Sequence, residues 1–124
     1  MPTEFDRWLS EQFAATGTFT ALIVLMHIAE PQVTPVCSSY VNVVGDEIDW
    51  DEMTVLLQGS GIGWDAVAFF VETEDGGGAL SSVEANCRLK DLTQAIEADR
   101  LHLNRGWLFD RRGRRLRVEE MLPS

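Results

Sequence analysis

The 124-residue chain is 45% hydrophobic and 24% charged, the balance of a folded domain and not of a disordered segment. Its length is that of one domain, enough to bury about two thirds of the unfolded surface without disulfide or metal staples. Twenty acids against ten lysines and arginines leave a formal charge of −10, which sets most of the molecule against polyanionic partners.

Thr3 followed by Asp6 makes an N-cap pattern, and Phe5, Trp8, Leu9 and Phe13 recur at helical spacing. Residues 3–15 are therefore expected as a helix, stopped by Gly17. This acidic, amphipathic start lacks the basic region and apolar core of a secretory signal. The longest nearly apolar run, Phe19–Ala29, falls well short of the about 20 residues that cross a bilayer. A cytoplasmic protein with no membrane partner is expected. The run is apolar on both faces, as a central strand or a buried helix would be; Thr20, Ile23, Val24 and Ile28 favour the strand. Pro31 and Pro35 read as brackets of a connector, with a second strand over Val36–Val44.

Asp49 with Glu52 is a second capping pattern, and Asp51 adds charge suited to the positive helix end. Trp50, Met53, Leu56 and Leu57 fall on one face, and Gly59-Ser60-Gly61 ends the helix. Ala66–Glu74 follows as a strand, and Asp75-Gly76-Gly77-Gly78 as a turn. Val83, Ala85, Cys87 and Leu89 alternate with polar residues, the period of a half-buried strand. A helix is then expected from about Asp91, carrying Leu92, Ile96 and Leu103; one long helix from Ser82 to about Leu103 fits the same residues. Trp107–Phe109 and Leu116–Val118 flank Asp110-Arg111-Arg112-Gly113, a glycine-closed hairpin spanning about 106–119. The expected fold is α+β in one domain, residues 1–124. It has an antiparallel sheet of about five to six strands with two to three helices packed mainly on one face.

Charge is unevenly distributed along the chain. Residues 8–87 hold twelve acids and no lysine or arginine, while residues 100–117 hold seven arginines and the single acid Asp110. Within the first stretch, Asp46, Glu47, Asp49, Asp51 and Glu52 crowd around Trp50. Some of these carboxylates cap the helix; together they also make an acidic face for a basic partner. Their spacing does not match a calcium loop. In the second stretch, Arg111, Arg112, Arg114, Arg115 and Arg117 surround one turn, with Trp107 and Phe109 beside them. Guanidinium forks suit phosphate and aromatics can stack on bases, but arginines also guard an edge strand and offset an acidic body. Structure is the simpler role for them, with a nucleic-acid or phospholigand site as the alternative.

No catalytic set emerges. Cys37, Cys87, His27 and His102 lie too far apart to read as a zinc site, and two buried thiols are the expectation for the cysteines. His27, inside the apolar run, reads as a core histidine, and His102 as a cation at a helix end. Ser38, Ser39, Ser81 and Ser82 sit in no nucleophile turn. Gly59, Gly61 and Gly63 follow a helix and precede a strand, the wrong polarity for a phosphate loop. Trp8, Trp50, Trp64 and Trp107 stand near element boundaries, as anchors of a core rim; an exposed Trp50 would add an interface anchor among the acids. No metal or cofactor is expected. The sequence reads as a non-enzymatic protein acting by contact with an unknown protein partner, with self-association as a further possibility.

Overall fold

The computed structural model describes residues 2–29, 32–45 and 47–116. Asp46 and Arg117, and the far part of the expected second hairpin strand, lie outside the described residues. Helix α1 (Glu4–Thr16) begins with a capping box in which the Asp6 N–H donates to Thr3 Oγ1 at 3.1 Å and the Thr3 N–H donates to Asp6 Oδ2 at 2.8 Å. Strands β1 (Phe19–Ala29) and β2 (Gln32–Val43) follow, then α2 (Trp50–Gln58), β3 (Ala66–Glu72) and α3 (Ser82–Ala98). A 3₁₀ segment (Arg100–Arg105) leads into β4 (Trp107–Asp110) and β5 (Arg115–Leu116). The five strands form one sheet in the order β2-β1-β3-β4-β5, with every neighbouring pair antiparallel. The α+β class with an antiparallel sheet is thus as the sequence suggested.

Helices cover both faces of this sheet and not mainly one. Side chains alternate along a strand, so Ala21, Ile23 and Leu25 of β1 pack with Phe5, Leu9, Met53 and Leu57 of α1 and α2. Leu22, Val24 and Met26 pack on the opposite side with Leu92, Ile96 and Leu103 of α3 and the 3₁₀ segment. The doubly apolar character of Phe19–Met26 is the direct consequence: this strand is buried on both faces. On the α1/α2 side the centre is aromatic, with the Phe5 ring 5.0 Å from Trp50, 5.2 Å from Phe69 and 5.3 Å from Phe109.

Three local expectations are corrected. Residues 83–89 are helix, not strand: the Glu84 N–H donates to the Ser81 N-cap, and Ala85, Leu92 and Ile96 are the buried stripe while Val83 and Cys87 are exposed. The Glu84–Arg88 pair at 2.9 Å uses the i,i+4 proximity that only a helix supplies. Pro35 does not sit in a connector but inside β2, at a bulge where Cys37 faces Leu25 and Pro35 faces Met26. A proline is tolerated there because β2 is the terminal strand. Trp50 is buried at 4% exposure, and Leu56, expected beside it in the core, is 55% exposed.

Candidate functional site

The arginine turn is built around Asp110 and Gly113. The Gly113 N–H donates to the Asp110 carbonyl at 3.0 Å, and Gly113 takes φ 77, the left-handed position such a turn needs. Burial alone would raise the Asp110 carboxyl. Hydrogen bonds from the Arg114 N–H, the Arg114 guanidinium and the Arg112 N–H outweigh it and hold the group below its ordinary value. The Arg114 Nε contact, at 2.8 Å, is the one ion pair of the described hairpin arginines. Two others lie over rings of their own chain: the Arg115 guanidinium is 4.4 Å from the Trp107 ring centre and that of Arg111 is 5.5 Å from Trp64. Phe109 is fully buried, and Trp107 is half-buried with the Arg115 guanidinium over its ring.

The acidic segment begins where the hairpin ends its packing. Asp49 caps α2, its Oδ1 accepting from the Glu52 N–H at 2.9 Å. The Trp50 N–H donates to Asp6 Oδ1 at 2.7 Å, and its indole Nε1–H donates to the Arg111 carbonyl at 3.0 Å. Gly113 lies so close to this indole that a Cβ there would stand 3.0 Å from Trp50 Cγ. Acidic cap and arginine turn therefore share one buried tryptophan. The sequence implied separate acidic and basic ends; the fold sets them side by side. Trp50 is a support beneath the acidic surface and not a contact residue on it.

Glu47, Asp49, Asp51 and Glu52 are all exposed. Among the described residues none of them takes part in an ion pair. The acids are accompanied by apolar side chains that the sequence reading did not single out: Val44 at 73%, Val55 at 68% and Leu56 at 55% exposure. Two adjoining clefts organise this surface. One, about 280 Å³, runs between Val43–Gly45 and the start of α2, with Glu47, Ile48 and Glu52 on its walls. The other, about 260 Å³, lies between β2 and the outer side of α2, lined by Ser39, Tyr40, Leu56 and Ser60; Val41 and Met53 border both. The signal for it was present in the sequence: α2 carries more apolar residues than one face can bury, and β2 has no charge in twelve residues.

Other candidates are dispersed. His27 is exposed beyond the buried part of β1 rather than in the core, with Nδ1 3.2 Å from Asp65 Oδ2. Cys37 is half-buried among the residues facing α1 and α2, while Cys87 is exposed on α3, the helix of the opposite face; both are free thiols, and the expectation of two buried ones fails for Cys87. His102 stacks on Phe70 with ring centres 6.3 Å apart, in a cleft of about 560 Å³ that also contains Arg88, Asp91 and Arg105. Arg88 is occupied there: hydrogen bonds to Glu84 and Glu72, at 2.9 and 2.6 Å, hold its guanidinium charged above its ordinary range. Among the described residues no three His, Cys, Asp or Glu side chains gather as a metal ion would require, and no helix is long and apolar enough to cross a membrane. Comparison of the chain with protein-family models, curated proteins and solved structures found no match.

Proposed function

We propose that this is a non-enzymatic cytoplasmic protein that works by binding a basic protein partner, in the manner of an inhibitor, immunity or adaptor protein. The contact surface is the one formed by α2, the residues leading into it and the second half of β2. The observation that carries this reading is the combination of Glu47, Asp51 and Glu52, exposed without ion-pair partners among the described residues, with the exposed Val44, Val55 and Leu56. Apolar contacts rimmed by like charge suit a partner that supplies hydrophobic anchors and opposite charge. A basic protein recovered from the native host with the wild-type chain is expected to associate about tenfold more slowly with E47Q/D51N/E52Q. Association that is indifferent to salt and to these substitutions contradicts the reading.

One observation favours self-association as a second reading. The acidic cap and the arginine turn flank the same Trp50, so a two-fold axis would set each against its opposite in a second copy. Sedimentation at low and high salt separates the two: a monomeric binder keeps its mass in both.

A further inference from the structure

The outer edge of β2 is the least defended feature of the molecule. Among the described residues β2 pairs on one side only, with β1. A terminal strand presents unpaired N–H and C=O groups, and proteins usually protect such an edge with lysines, other inward charges, prolines or short length. Here the strand is twelve residues long and without a charge, and its one proline sits at the bulge near its beginning. Beyond the bulge, Cys37–Val43 runs in unbroken register against Leu25–Phe19. That regular stretch is long enough for a full strand of typical length to pair along it.

The same stretch borders both clefts. Ser39, Tyr40 and Val41 line the one beside Leu56, and Val41–Val43 the one beside Glu47 and Glu52. An added strand would hydrogen-bond to the edge through its backbone. Its alternate side chains would project toward the face that α2 covers, where apolar Leu56 and acidic Glu47 and Glu52 are available. Charge decides the occupant. Glu47 and Glu52 on the cleft wall attract a basic segment, whereas the β2 edge of a second copy, uncharged along its length, offers them no opposite charge.

We infer that an extended, basic segment of a partner protein adds as a further strand to the edge of β2 along Cys37–Val43, an inference that rests on the acidic-contact reading above. The test uses the full chain and two probes: a short peptide of alternating valine and lysine, and the same peptide N-methylated at alternate residues. Methylation keeps every side chain and charge but removes the backbone donors that face the edge. The unmodified peptide is expected to bind and to slow amide exchange within residues 37–43, and the methylated one to bind about tenfold or more weakly. S38K/S39K, which places two cations on the exposed edge, is expected to lose binding of both peptides. Equal affinity for the two peptides, lost in E47Q/D51N/E52Q, overturns strand addition and leaves the acidic contact standing. Failure of both peptides to bind at low salt overturns both. Concentration-dependent dimerisation that S38K/S39K abolishes overturns the basic segment in favour of a second copy.

Discussion

At one border of the sheet lies β2, uncharged over its whole length, and at the other, among the described residues, lies β5, approached through Asp110, Arg111, Arg112 and Arg114. The second border is densely tied down. Its turn is held by Asp110 from within and by Trp50 and Thr3 from beneath, and the guanidiniums of Arg111 and Arg115 lie over tryptophans. The first border has a bulge, two clefts and, among the described residues, an unpaired edge. The difference teaches that conspicuous charge need not be available charge: Arg111, Arg114 and Arg115 are engaged with their own chain, while among the described residues the outer edge of the uncharged strand has no strand partner.

Breaking the defended border should cost the most stability. Trp50→Ala removes a buried ring from the aromatic centre together with the indole bond to Arg111, and is expected to destabilise the fold by about 3–5 kcal/mol in denaturant titration. Amide exchange should then accelerate in both α2 and the hairpin turn. If only one of the two responds, the shared support is not real. Gly113→Ala places a Cβ at φ 77 and 3.0 Å from Thr3 Cβ and Trp50 Cγ, a combined strain of about 1–3 kcal/mol. A neutral outcome there would mean that the turn does not bear on Trp50.

Asp110→Ala should cost about 1–2 kcal/mol by leaving the turn's N–H groups without their acceptor. The carboxyl is held below its ordinary value, so its ionised form is favoured by folding. Its contribution is present above the unfolded value of about pH 4 and is lost as pH falls through the lowered one. Asp110→Asn should flatten this acid limb of the stability profile. At the open border the expected stability effect is smallest: S38K/S39K should stay within about 0.5 kcal/mol of wild type, because both side chains are exposed. Large destabilisation there would show that the edge is covered and not open.

Features fixed by a few neighbouring residues were legible in the sequence. The Thr3–Asp6 capping box, the Asp49 cap of α2 and the Gly113 hairpin each depend on groups within four residues of one another. Features set by distant contacts were not. Trp50 is buried because Gly113 and Arg111 close over it, and nothing near Trp50 in sequence announces them. Pro35 is compatible with a strand only at a sheet border, so its place could not be read before the strand order was known. The alternation over 83–89 misled because it rests partly on Ala85 and Cys87, small residues that suit a helix as well. Of the proposed contact surface, the acids were visible, but the accompanying Val44, Val55 and Leu56 required knowing which side of α2 faces the sheet.

The most direct test of the account is the salt dependence of binding to the valine–lysine peptide by the wild-type chain and by E47Q/D51N/E52Q. The account predicts wild-type affinity that falls steadily with salt, and a shallower slope for the variant, with the two converging at high ionic strength. Parallel slopes from the two proteins would contradict it.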